Sequence, residues 1–311
     1  MRKVVLVGTG AVGTAYAYSL INQGSVTELV LIDANSEKAK GEAMDLIHGM
    51  AFAPTNIEVY SGTYKDCTDA DLVVITAGAN QKPGETRLQL VEKNAKIMRS
   101  ITHDILQSGF NGIFLVASNP VDILTHIVQK ESQFEPTRVI GSGTTLDTAR
   151  FKVLLGEYLK LDPRNVHAVI IGEHGDSELP VFSQACIGTE NLSKVLERRN
   201  DPEDILNMGK IFEQVRDAAY EIINRKGMTN FGIGMALARI TKAILNNENS
   251  ILPVSCLLNN QYGQSEIYMS VPAIVNEKGI SKVIELDLDK NERALFERSA
   301  EALKEARKTV L

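Results

Sequence analysis

Short, unbroken apolar runs alternate with stretches of helical spacing through the first half of the chain. Val4 to Val7 is one such run, and others lie within Glu28 to Asp33, Asp71 to Thr76 and Gly112 to Ala117. Their valine, isoleucine and leucine content suits strands buried on both faces of a parallel sheet. The helix-compatible stretches between them include Thr14 to Gln23 and about Leu88 to Ser108. That alternation predicts right-handed crossovers and a doubly wound α/β sheet. The second half reads differently. Residues from about Asp201 to Arg225 and Phe231 to Asn246 keep helical spacing, with Ile211, Val215, Ala219 and Ile222 on one side of the first. Val254 to Leu258 and Ile267 to Val271 read as strands of an antiparallel sheet, and Leu288 to Lys308 as a charged amphipathic helix. The change of pattern near residues 140 to 150 predicts two intimately packed parts, 1–143 and 144–311, the second of mixed α+β type.

Composition narrows the classes. Hydrophobic residues make up 44% of the 311, the fraction of an ordinary globular chain, and no apolar run is long enough to span a membrane. A formal net charge of −6 argues against nucleic acid as a partner. Cys67, Cys186 and Cys256 are odd in number and widely spaced, so neither a disulfide framework nor a metal site is expected, and a cytoplasmic setting fits best.

The first apolar run enters Gly8-Thr9-Gly10-Ala11-Val12-Gly13 and then a helix. In that context Gly8 suits a tight turn, Gly10 the close approach of a pyrophosphate, and Gly13 the packing of helix on strand, with the helix N-terminus facing negative charge. The second run ends in Asp33, twenty residues after Gly13. A carboxylate there accepts hydrogen bonds from ribose hydroxyls and repels a 2′-phosphate, which favours NAD over NADP; the other reading of Asp33 is a helix N-cap. Lys38 falls near the same position. Gly78 and Ala79 follow the third run, and Ser118-Asn119-Pro120 the fourth, at the carboxyl edge where such sheets bind ligands.

Three further segments carry candidate chemistry. Asn80 to Arg87, polar with Pro83 and Gly84, reads as a lid, with Arg87 either bringing its guanidinium onto a polarised oxygen or simply solvated at the start of a helix. Asp147 and Arg150 share one face of a helix that starts near Thr144, either as a surface ion pair or as partners for an imidazole and a substrate carboxylate. His174 follows an apolar strand-like run and lies between Gly172 and Gly175, either as a proton-transfer group or as a satisfied or solvent-facing histidine.

In order and spacing, Gly8 to Gly13, Asp33, Gln81 to Arg87, Ser118-Asn119-Pro120, Leu146 to Arg150 and Gly172 to Asp176 resemble the successive motifs of the NAD-dependent L-lactate dehydrogenases. The resemblance runs over essentially the whole chain. It implies a Rossmann-type doubly wound parallel sheet followed by a mixed α+β substrate domain, and hydride transfer between NADH and pyruvate. It implies that His174 moves the proton, Asp147 orients it, Arg87 polarises the carbonyl, Arg150 forks the substrate carboxylate and Asn119 bonds the substrate oxygen. In the wider superfamily the residue matching Gln81 separates lactate from malate specificity, and a neutral side chain there favours a monocarboxylate, with Thr229 limiting the space opposite. Cofactor contacts are implied for Gly8, Gly10, Val12, Gly13, Asp33, Lys38, Gly78, Ala79 and Asn119. A homotetramer is also implied. Some bacterial members bind fructose 1,6-bisphosphate through an arginine and a histidine; the counterparts here are Lys152, which departs from that pattern, and His167. The alternatives are a malate or bulkier 2-hydroxy acid dehydrogenase, or a non-catalytic NAD-binding protein.

Overall fold

The computed structural model describes residues 2–79 and 87–310, and for Arg87 the backbone alone. The first half runs β1 (Lys3–Val7), α1 (Ala11–Gln23), β2 (Glu28–Ile32), α2 (Ser36–His48), β3 (Glu58–Ser61), β4 (Leu72–Ile75), α3 (Arg87–Gln107), β5 (Ile113–Val116), α4 (Val121–Ser132) and β6 (Val139–Gly141). It continues through α5 (Thr145–Leu159) and the short strands β7 (Val166–His167), β8 (Ile170–Ile171), β9 (Leu179–Pro180), β10 (Cys186–Ile187) and β11 (Glu190–Asn191). The remainder is α6 (Leu192–Arg199), α7 (Asp204–Lys226), α8 (Phe231–Leu245), β12 (Ser250–Asn259), β13 (Ser265–Asn276), β14 (Gly279–Val283) and α9 (Lys290–Arg307).

Strands β1 to β6 pair in parallel in the order β3-β2-β1-β4-β5-β6, the doubly wound arrangement whose order reverses beside β1. Every residue of β1, β2, β4 and β5 is buried, which is why these strands read as continuous apolar runs. Edge strand β3 carries no such run, because one of its four residues is exposed and two are half-buried. It was therefore not visible in the hydrophobic pattern.

The C-terminal strands form the expected antiparallel pair, β12 with β13, but not a free-standing sheet. Ser255 of β12 pairs antiparallel with Gly141 of β6, so the hairpin and β14 extend the parallel sheet to nine strands. One apolar core runs along this sheet. A smaller one, built around Phe151, Leu155, Ile170, Ile211 and Val215, sits between α5, α7 and the short strands. A buried Tyr16 hydroxyl, 2.8 Å from Thr241 Oγ1, ties α1 to α8. The first helix after the glycine loop thereby packs on the C-terminal half.

Candidate active site

The glycine segment sits at the carboxyl end of β1. Gly8 has a φ of +102°, and a Cβ there lies 2.5 Å from the Ala77 nitrogen. A Cβ on Gly13 lies 2.0 Å from the Gly8 carbonyl oxygen. Both positions are closed to a side chain. Gly10 differs: among the described residues a Cβ on it meets nothing within 4 Å, and no side chain caps the α1 N-terminus. The first turn, where half-buried Val12 sits, has amides without intrahelical acceptors, as every helix start does. Such a turn at a helix N-terminus suits an anionic group.

Asp33 ends β2 beside this turn. Its Oδ2 accepts from the Thr9 amide at 2.7 Å and the Thr9 hydroxyl at 2.9 Å, and Oδ1 accepts from the Asn35 amide at 2.9 Å. Partial burial opposes ionisation, but these bonds and the Lys38 charge prevail and hold the carboxyl below its usual range. The α2 N-cap is Asn35, which accepts from the Lys38 amide, so capping that helix does not account for Asp33. An ionised carboxylate at this place fits ribose hydroxyls. At the neighbouring edge, Asn94 of α3 accepts from the Ala79 amide at 2.8 Å and donates to the Asn119 carbonyl at 3.1 Å. It joins the loop carrying Gly78 and Ala79 to the loop after β5, a role that nothing in the helical pattern signalled.

The two glycines respond differently to substitution. Gly13→Ala forces a methyl into backbone and costs about 1–3 kcal/mol of stability, read as a lower Tm. Gly10→Ala leaves Tm nearly unchanged but weakens NADH binding about tenfold or more, equivalent to about 1.4 kcal/mol, in a fluorescence titration. Unchanged NADH affinity in Gly10→Ala would remove the pyrophosphate assignment.

The proton-transfer candidates lie across the sheet edge. β8 and β9 form a small antiparallel hairpin, and His174 is in the loop joining them. Gly172 pairs with Ser270 of β13 through bonds of 2.9 and 3.0 Å, which pins the loop to the long hairpin. The His174 amide donates to Asp122 Oδ2 at 2.9 Å, and Asp122 Oδ1 accepts from the hydroxyls of Ser255 and Ser270. Burial pushes the Asp122 carboxyl up to about 6, against the opposing pull of those hydrogen bonds.

On the ring side, His174 Nδ1 lies 2.7 Å from Asp147 Oδ2, while Arg150 Nη1 donates to Asp147 Oδ1 at 2.7 Å. Asp147 is 2% exposed, so its charge is little screened by water. Burial by itself lowers the proton affinity of His174, but the Asp147 charge and hydrogen bond outweigh it and carry the imidazole up to about 9. The same imidazole and Arg150 hold Asp147 below its ordinary value in spite of burial. With Nδ1–H directed to the carboxylate, Nε2 is the nitrogen left for exchange.

His174, Asp147, Arg150 and Asn119 all line one cavity of about 340 Å³, with Arg216 and Tyr220 of α7 on its far side. Thr229, half-buried in the turn between α7 and α8, is not among the lining residues. Gln81 and the rest of the expected lid, Asn80 to Thr86, lie outside the described residues, and Arg87 is placed only as the first residue of α3. Lys152 is half-buried on α5, and His167 is exposed on β7. Two acids that the sequence did not single out belong to the site. Asp122 reads in sequence as a first-turn helix acid, and Glu178 as a loop charge four residues after His174. Both are buried.

A dinucleotide cradle at the sheet's carboxyl edge and an imidazole–carboxylate pair in the adjoining cavity define a nicotinamide-dependent oxidoreductase. Comparison with known proteins narrows the class. Residues 2–141 match the lactate/malate dehydrogenase NAD-binding domain, and residues 144–311 match the lactate/malate dehydrogenase alpha/beta C-terminal domain. L-lactate dehydrogenase 2 of Bacillus cereus is 58% identical over 311 residues, covering 100% of this chain and 99% of that protein. The minor L-lactate dehydrogenase of Enterococcus mundtii superposes with a TM-score of 0.98 in its ligands-bound form, at 51% identity, covering 100% of this chain and 98% of that one. Its ligands-unbound form gives 0.92 at 50% identity, covering 99% and 97%. The chain belongs to the lactate/malate dehydrogenase family, and its cofactor is NAD.

Proposed function

We propose that the protein is an L-lactate dehydrogenase that transfers hydride reversibly between NADH and pyruvate, giving L-lactate and NAD+. The observation that carries the reading is the buried Asp147 carboxylate shared between His174 and Arg150 at 2.7 Å each, facing the cavity at the carboxyl edge of the sheet. The nicotinamide supplies the hydride when bound. Gly8, Gly10, Val12 and Gly13 hold its pyrophosphate and Asp33 its ribose, with Lys38, Gly78, Ala79 and Asn119 nearby. His174, protonated at neutral pH, gives the Nε2 proton to the carbonyl oxygen of pyruvate and recovers it in lactate oxidation. Asp147 fixes the ring and stabilises its charged form, as a triad carboxylate does without taking the proton. One Arg150 nitrogen is engaged with Asp147, and its remaining donors are available to a substrate carboxylate. Asn119 bonds the substrate oxygen, and Arg87 polarises it. Gln81 and Thr229 set the size and charge of the acid.

Substrate choice is tested by following NADH oxidation with pyruvate, oxaloacetate and 2-ketoisocaproate. Pyruvate is turned over best by the native chain. Gln81→Arg raises the oxaloacetate-to-pyruvate ratio of kcat/KM at least about tenfold, the effect of one new charge-assisted bond of about 1.5–3 kcal/mol. An unchanged ratio would remove Gln81 as the discriminator. A malate dehydrogenase would prefer oxaloacetate before any substitution, and a non-catalytic NAD-binding protein would oxidise no NADH with any of the three.

The finer features belong to the same proposal. Residues 1–143 bind the dinucleotide and 144–311 supply the substrate side, a division supported by the second, smaller core under α5 and α7. Self-association into a homotetramer is supported by large exposed apolar side chains, Phe52 at 90% and also Tyr18, Phe231 and Met235. Activation by fructose 1,6-bisphosphate is supported by the adjacency of α5 and β7, which carry Lys152 and His167, and by the partial burial that disfavours the Lys152 ammonium unless an anion accompanies it. A cytoplasmic location is supported by three unpaired cysteines. Among the described residues no helix is long and apolar enough to cross a membrane.

A further inference from the structure

Glu178 sits at the base of the hairpin loop, 5% exposed, beside the proton-transfer pair. One oxygen of Asp147, one of Glu178 and one His174 nitrogen all lie within 4.8 Å of one another. The groups facing this cluster are Asp147 and Arg150 from α5, His174, Glu173 and Asp176 from the loop itself, Arg216 from α7, and Asp122 of α4 beneath the loop. Arg150 is already bonded to Asp147. Among the described residues Glu178 has no ion pair of its own, and its buried Oε1 has no hydrogen-bond partner.

A second ionised carboxylate in this place has two costs, desolvation without a partner and repulsion by the Asp147 charge, and together they outweigh the pull of the His174 and Arg150 charges. A protonated carboxyl removes both. Its O–H then has an acceptor at hand, because each Asp147 oxygen keeps acceptor capacity beyond its one bond to His174 or Arg150. We infer that Glu178 carries its proton at neutral pH and donates it as a hydrogen bond to Asp147, acting as a positioning residue that moderates the grip of Asp147 on His174. Burial first, and then the Asp147 charge, drive the Glu178 carboxyl well above its ordinary range, in the same sense.

The arrangement matters most when His174 has given up its proton. Asp147 then loses the facing imidazolium, and the Glu178 hydroxyl remains as a donor that stabilises the carboxylate. Glu178 keeps its proton throughout, so the overall proton balance of the reaction is unchanged. At alkaline pH the Glu178 proton leaves and a second negative charge raises the proton affinity of His174. The alkaline limb of pyruvate reduction is thereby stretched to higher pH.

This inference rests on the proposed role of His174, but its first test does not need activity. The infrared spectrum of the cofactor-free protein at neutral pH shows the carbonyl stretch of a protonated carboxylic acid, absent from Glu178→Gln. A wild-type spectrum with no such band overturns the proposal and leaves the dehydrogenase reading intact. Should Glu178→Gln fail to fold, wild-type protein with carboxyl-labelled glutamate gives the same answer, since the band shifts only if it belongs to a glutamate. In pyruvate reduction, Glu178→Gln mimics the protonated acid. Its alkaline limb falls at lower pH than that of the native chain, with the slope of a single group. A several-fold loss of kcat at neutral pH, with the limb displaced already there, means that Glu178 was ionised, and the inference fails.

Discussion

Replacing His174 by alanine lowers kcat for pyruvate reduction by about 10²- to 10⁴-fold, the usual contribution of a positioned general acid. NADH affinity stays within about twofold, because the glycine cradle and Asp33 are separate from the hairpin loop that carries the imidazole. The substitution leaves the His174 amide bond to Asp122 intact, so the loop keeps its anchor on α4. Steady-state turnover and a fluorescence titration of NADH measure the two quantities side by side. Turnover near that of the native chain, with NADH still bound, would end the proton-transfer assignment.

The second large effect belongs to Asp147→Asn and appears as a displaced pH profile. Pyruvate reduction requires the imidazolium, so in the native chain it declines as pH rises through about 9; lactate oxidation requires the neutral ring and rises over the same interval. Asparagine removes the main charge that holds the proton and leaves burial opposed only by the weaker pull of Glu178 and Asp122. The alkaline limb of reduction then moves from about 9 down toward the ordinary 6.5 of a histidine. At neutral pH the loss exceeds about 10²-fold, because the protonated fraction falls and the ring loses its orienting acceptor. Stability follows the same linkage. The folded form binds the His174 proton more tightly than the unfolded chain, so the stabilisation is fully present below about 6.5 and is lost as pH rises through about 9. Thermal melting of native and Asp147→Asn protein across this interval measures the difference. A limb that stays near 9 in the variant would show that Asp147 does not set the His174 proton affinity.

Taken together, the acids of this site differ by environment and not by residue type. Asp33 is held ionised by amide and hydroxyl donors, Asp147 by an imidazole and a guanidinium, while Asp122 and Glu178 are pushed upward by burial. The first two can carry charge at little cost. The others do so only where hydrogen bonds offset the loss of water.

Much of this was legible without coordinates, and the reason is local. Parallel strands buried on both faces show themselves as apolar runs, and the glycine spacing after β1 requires a turn and a close approach that few other residues permit. Asp33, Asp147, Arg150 and His174 could be picked out because each sits at a fixed offset from such a strand or helix start. The sequence also ordered α5 so that Asp147 and Arg150 share a face. What it left open was their partner, a surface ion pair or an imidazole, and that depended on chain 27 residues away in sequence.

Tertiary structure alone decided the remainder. Edge strand β3 is too exposed to leave an apolar signature, and the attachment of β12 to β6 rests on a single register pair, Ser255 with Gly141. Asp122 and Glu178 became part of the site through burial against elements distant in the chain, Asp122 beneath the His174 loop and against β12 and β13, Glu178 against the α5 carboxylate. Sequence spacing fixes which side chains share one element. Which of them lose water, and which charge each then faces, is set only when the elements pack.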